Sequence, residues 1–222
     1  MIKFDGLISL LIACIELGFV INMLIFAKKN SVNFYAIGMV ALLFGYQILE
    51  YFICGLGFHQ QFIIYLAFLD ITLLPPLGLY TVLLYTGKLK VYHRYIFVPA
   101  LFFIIVYPFL LDQFAVTKCT VLYASYHYPM GPLYATFYYL PILGSMIILN
   151  KKWGSETNPE QKSLTRLFFF GFLFTFLPSM IIALFFPLFV TAVESLLCKM
   201  AFILAVFLTL FVFKNKEMPA KE

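Results

Sequence analysis

Seven apolar runs, each long enough to cross the hydrocarbon of a bilayer, take up almost the whole chain. They cover approximately 6–27, 34–57, 61–86, 95–111, 132–150, 165–186 and 188–213, and each is bounded by charge, Pro, Gly or a polar cluster. Little sequence is left for a separate soluble domain. The pattern therefore predicts an all-α, polytopic seven-transmembrane-helix bundle, a single domain over residues 1–222. Composition agrees. Soluble domains carry about 25% charged residues, whereas this chain has 11% and is 64% hydrophobic. Its mean hydropathy is +0.99. So few charges cannot cover a water-facing surface.

The short segments between the runs predict an orientation. Lys28, Lys29, Lys88, Lys90, His93, Arg94, Lys151, Lys152, Arg166, Lys214 and Lys216 fall on one side of a seven-span bundle. The opposite segments are His59-Gln60-Gln61, the stretch from Asp112 to Gly131, and a tight turn near Pro187; Lys118 is their one basic residue, with Lys3 at the terminus as the other exception. Basic loops stay cytoplasmic, which predicts an amino terminus outside, a carboxyl terminus in the cytoplasm, and a cell-membrane location. The net charge of +5 then orients helices and meets anionic headgroups. The expected partner is the lipid bilayer and not nucleic acid; assembly with further copies of the chain is left open. The first run is read as a span and not as a cleaved signal peptide, because it is long, lacks a basic leader and ends in Lys28-Lys29.

The aromatic-rich stretch with Phe114, Tyr123, Tyr126 and Tyr128 reads as a short ribbon or cap on the outer side. Cys14, Cys54 and Cys198 lie in apolar runs, and Cys119 lies in that outer stretch. A Cys54–Cys119 bridge is conceivable there, where the medium is oxidising. No Cys/His cluster suggests a metal.

Charges inside spans are costly, by at least about 2.5–3.5 kcal/mol each at the centre. Four stand out: Glu50, Asp70, Glu194 and Lys199. With a rise of about 1.5 Å per residue, Lys199 lies roughly 17 Å below the outer boundary, Asp70 roughly 14 Å, and Glu50 and Glu194 roughly 10 Å. Side chains lean toward the amino-terminal end of their helix, so Lys199 leans outward and Glu50 inward, toward the layer of Asp70. Glu194 stands about 140° around the helix from Lys199. Ser195 shares the face of Lys199, and Gln47 that of Glu50. Such groups mark ion pathways, proton relays or ligand counter-ions, or they form an ion-pair network that serves packing alone.

Two resemblances arise at these residues. A lysine midway along the seventh span (Lys199) and Asp70 followed six positions later by Pro76 resemble the pattern of microbial rhodopsins. In the sixth span Phe174 precedes Pro178 by four positions, where that family has Trp. The resemblance implies retinal as cofactor, Lys199 as the Schiff-base lysine, Asp70 as counter-ion, and Phe174, Pro178 and Ser195 beside the chromophore, in a photoreceptor or light-driven ion mover. The chain departs from that family at Leu66 and Ala67, where an Arg belongs, at Ile71 in place of Trp, and at Ser195 in place of a second Asp, whose part Glu50 would take. The second resemblance rests on Leu-Leu-Phe-Gly-Tyr-Gln-Ile-Leu-Glu in the second span and Glu-Ser-Leu-Leu-Cys-Lys-Met-Ala in the seventh. These are similar to an uncharacterised bacterial family of small seven-helix membrane proteins, which implies no activity.

The alternative to a retinal protein is a proton-coupled transporter or channel with Glu50, Asp70 and Lys199 as relay groups. A third reading makes the buried charges structural. A metal-dependent membrane hydrolase would need several His near one face, and only His59, His93 and His127 exist. No nucleotide-binding loop and no catalytic Ser/His/Asp or Cys/His set appears.

Overall fold

The computed structural model describes residues 5–185 and 193–215, without the side chains of residues 182–184, 193 and 194. Expectations resting on Lys3, the turn near Pro187, the Glu194 side chain or Lys216 lie outside these residues.

Seven segments are long and apolar enough to cross a membrane. Six are continuous helices: α1 (Leu7–Phe26), α2 (Ser31–Cys54), α3 (Gln61–Tyr85), α5 (Gly131–Ser155), α6 (Pro159–Phe185) and α7 (Val193–Lys214). The fourth, Val91–Gln113, has a different build. Its α-helical part, α4, is only Val98–Val106, flanked by 3-10 turns at Val91–Phe97 and Tyr107–Gln113. Pro99 and Pro108 each open one of these stretches, where a missing N–H costs little. In α3, α5 and α6 the helix instead runs through Pro75, Pro76, Pro141 and Pro178. α1 packs on α2 and α7, and α2 on α3 and α7. α3 packs on α5, α5 on α6 and α6 on α7, while α4 leans mainly on α3 from outside.

The outward faces carry large apolar side chains, among them Leu11, Ile25, Phe26, Ile105, Phe109, Leu140 and Ile147. An apolar exterior on this scale suits lipid. One end of the bundle carries the segments with Lys28, Lys90, Arg94 and Lys152. There the Lys152 ammonium lies 2.5 Å from Glu156 and, with the backbone amide of Asn158, holds that carboxyl below its ordinary range.

The expected ribbon at the opposite end is an antiparallel hairpin of β1 (Ala115–Cys119) and β2 (Ala124–His127). Ala124, Ser125 and Tyr126 on β2 are buried. Phe68 on α3 is the anchor: its ring lies 5.4 Å from Phe114, 5.6 Å from Tyr126 and 4.5 Å from Tyr128. Three ties fix the hairpin over the helix ends. Cys119 is disulfide-bonded to Cys54 at the end of α2. The Gly6 amide donates to the Thr120 carbonyl, and the Ala124 amide donates to Ser195 Oγ on α7 at 3.0 Å. Gly6 has φ 73°, a left-handed conformation that glycine adopts without a Cβ clash, and this lets the chain turn into α1 while its amide bonds the hairpin.

Candidate functional site

A seam between α1, α2 and α7 gathers polar side chains at three levels, while other buried polar pairs, Thr72 with Tyr134 and Tyr85 with Thr165, lie elsewhere in the bundle. The level nearest the hairpin is built around Lys199. Gln47 and Glu50 stand three residues apart on α2, on one helix face. Ser9 comes from α1, and Ser195 lies one turn before Lys199 on α7. The Lys199 ammonium donates to Ser9 Oγ at 2.8 Å, to Gln47 Oε1 at 2.7 Å and to Glu50 Oε1 at 2.8 Å, which uses all three of its N–H donors. Glu50 is 1% exposed. It also accepts from Ser9 Oγ at 3.1 Å and from Ser195 Oγ at 3.0 Å. The Gln47 amide nitrogen donates to the Cys198 carbonyl at 2.9 Å. Each donor thus has its acceptor, as a buried ion pair requires. Because Ser195 also accepts from the Ala124 amide, the hairpin is joined to the ion pair through a single hydroxyl.

The second level is Glu16 on α1, which the sequence reading passed over although it is the one acid in the middle of the first apolar run. It is fully buried, and neither carboxyl oxygen has a hydrogen-bond partner among the described residues. Ser9, Ala13, Glu16 and Met23 are the buried face of α1, with the spacing of one helical stripe. Glu16 shares that face with Ser9, whose hydroxyl accepts from the Lys199 ammonium. The third level lies at the basic end. Asn33 Nδ2 donates to the Lys28 carbonyl at 2.9 Å and to the Asn215 carbonyl at 3.3 Å. Asn215 Nδ2 donates to Asn33 Oδ1 at 2.8 Å.

Asp70 stands elsewhere. It packs on α2 from the α3 side, so close that a Cβ added at Gly45 would meet its Oδ2 at 3.1 Å. Positions 45 and 50 are about 140° apart around a helix, so α2 itself stands between Asp70 and the Lys199–Glu50 pair. Depth places both Glu50 and Asp70 in the layer of Lys199, and azimuth decides between them: the acid that meets Lys199 is Glu50. Phe174 also departs from its expected place. It is 47% exposed and stacks on Phe170, while Phe176 faces inward. Pro178 lies within α6, and Ser195 is in the network as a donor to Glu50.

The middle of the bundle, between α2, α3, α5, α6 and α7, holds an apolar cavity of about 10 Å³ lined by residues that include Met39, Pro75, Phe176, Cys198 and Ala201. That is room for roughly one water. Lys199 points away from it, toward α1 and α2. Neither Lys199 nor Asp70 is among the residues that line this cavity. Among the described residues no group of three His, Cys, Asp or Glu gathers to hold a metal. His93 serves local structure, accepting from the Lys90 amide at 2.8 Å.

Compared with family models, curated proteins and solved structures, the chain finds no match in any of the three.

Proposed function

We propose that this chain spans a cell membrane and moves protons along the α1–α2–α7 seam, as a proton-coupled transporter or channel whose central groups are Glu50 and Lys199. The observation that carries the reading is the gathering of two carboxyls, a lysine and three amide side chains in one seam at three depths: Glu50 paired with Lys199 beside Gln47, Glu16 buried without a hydrogen-bond partner among the described residues, and Asn33 with Asn215 at the basic end. A network that served packing alone would need only the satisfied pair, and Glu16 would then be a buried acid with no purpose. Carboxyl groups and a lysine in hydrocarbon are the usual parts of intramembrane proton relays. Asp70 belongs to this reading as a further acid on the far side of α2, outside the seam.

The orientation proposed places the hairpin outside and the basic loops in the cytoplasm. The Cys54–Cys119 bridge supports it, since disulfides persist in oxidising compartments, and so does the clustering of Lys and Arg at the other end. Reporters inserted at Ala124 and fused after Lys214 are expected to read external and cytoplasmic respectively. A cytoplasmic signal at Ala124 would reverse the assignment.

Proton flux tests the function. Lipid vesicles containing the purified protein are expected to dissipate an imposed pH gradient faster than protein-free vesicles. Glu50→Gln should slow this at least tenfold, because an amide of the same shape cannot exchange a proton. Vesicles no leakier with the protein than without it would overturn the proposal. Retinal added to the same preparation is expected to leave it colourless; a visible band lost on Lys199→Ala would return the retinal reading to first place.

A further inference from the structure

Helices α1 and α7 run in the same sense, since both start at the hairpin end. They touch through Phe19 and Phe202, whose rings stack at 6.2 Å. Counting three residues back on each helix brings Glu16 level with Lys199. The lysine stem therefore leaves the helix at the depth of Glu16, yet its ammonium is carried toward the hairpin, to Ser9, Gln47 and Glu50. Ser9 and Glu16 are seven residues apart on the same face of α1, about 10.5 Å along the axis. Two carboxyls thus lie above and level with the root of one flexible cation. One is fully hydrogen-bonded and the other is buried without a hydrogen-bond partner among the described residues. Ionised together they would leave the site with a net negative charge in hydrocarbon, which is unfavourable enough that such a group neutralises instead.

We infer that Glu16 is a second seat for the Lys199 ammonium and carries a proton whenever the lysine is on Glu50. This rests on the proton-relay reading and deepens it by naming the group that holds the transported proton. In the observed state Glu50 is a carboxylate paired with the ammonium, and Glu16 is a neutral acid. When Glu50 takes up a proton from the hairpin side, its hold on the ammonium is lost. The ammonium swings to Glu16, whose O–H proton leaves toward the Asn33–Asn215 level. One proton has entered and one has left, and the charge of the site is unchanged. The lysine then gives one N–H proton to the Glu16 carboxylate and takes the proton of Glu50 in its place, which restores the first state. Tyr46 and Ser195 face Glu50 from α2 and α7, and the Tyr126 ring reaches the same region from β2. Asp70 stays behind α2 throughout.

Infrared spectroscopy of the full chain in lipid vesicles at neutral pH tests the assignment directly, because a protonated carboxyl has a carbonyl band that a carboxylate lacks. The wild-type spectrum is expected to contain a protonated-carboxyl band that Glu16→Gln removes and Asp70→Asn does not. In Glu50→Gln that same band is also expected to vanish, because the lysine now takes Glu16 as its counter-ion and the acid ionises. Survival of all wild-type bands in Glu16→Gln would overturn the inference. So would persistence of the Glu16 band in Glu50→Gln. Glu16→Gln replaces a neutral acid by a neutral amide of the same shape, so it keeps the test decisive should Glu50→Gln fail to fold. Bands that behave as described in a protein without proton flux would end the transport reading and leave the second seat standing.

Discussion

Lys199→Met is expected to destabilise the folded protein by about 3–5 kcal/mol, the usual loss when one partner of a buried ion pair is removed. The substitution keeps the length and apolar volume of the stem, so little of the loss would come from packing. What it leaves behind is the Glu50 carboxylate, 1% exposed, with the hydroxyls of Ser9 and Ser195 donating to it but no cation beside it among the described residues. Gln47 also loses a donor to its Oε1. The double variant Lys199→Met/Glu50→Gln is expected to recover more than half of the loss, because the second change removes the stranded charge. Unfolding in detergent or bilayers, followed by loss of helical signal, measures both. A Lys199→Met protein within about 1 kcal/mol of wild type would mean that the pair contributes little net stability.

Much of the fold was legible, because a bilayer leaves the chain few choices. A run such as Leu7–Phe26 must satisfy its backbone internally, and in lipid that means a helix. The outer ribbon was legible from its richness in aromatic residues, and the Cys54–Cys119 bridge was conceivable because both cysteines fall on the outer side. What hydropathy cannot carry is azimuth between non-adjacent helices. Asp70 and Lys199 match in depth, but which faces of α2 meet α3 and α7 depends on how whole helices pack, and Gly45 fits closely against Asp70 in a way that no count along one helix foretells. The face shared by Gln47 and Glu50, and that shared by Ser195 and Lys199, needed only the helical period, and those readings were met. Glu16 was overlooked for a different reason. A lone acid in so hydropathic a run is easily read past, though its central position was the strongest signal available. Ser9 carried no signal, since a serine near a helix end is ordinary. The irregular fourth span follows from its prolines at 99 and 108, whose positions predict broken helix ends.

Opening the Cys54–Cys119 bridge is the other change with a large expected effect. The cysteines are 65 residues apart in sequence, and closing a loop of that size restricts the unfolded chain by about 4 kcal/mol on the chain-entropy account. Spans that remain helical in lipid are already restricted when unfolded, so a loss of about 2–4 kcal/mol is expected for Cys54→Ser. The loss should exceed that of Cys14→Ser, since Cys14 is an exposed free thiol on α1. The bridge ties β1 to α2, and the Ala124 amide on Ser195 ties β2 to α7. A loosened hairpin therefore acts on Glu50 as well as on stability, because Ser195 is one of the donors to that carboxylate. With the cap loosened, water from the hairpin side gains access to Glu50 and its pair with Lys199 weakens. Reduced protein is thus expected to unfold earlier and to exchange protons faster in vesicles than oxidised protein, with Cys54→Ser behaving as reduced protein under both conditions. Equal unfolding and equal flux before and after reduction, with thiol labelling showing that the bridge had opened, would mean that the hairpin is held by its aromatic anchor at Phe68 and that the disulfide neither supports the cap nor guards the seam.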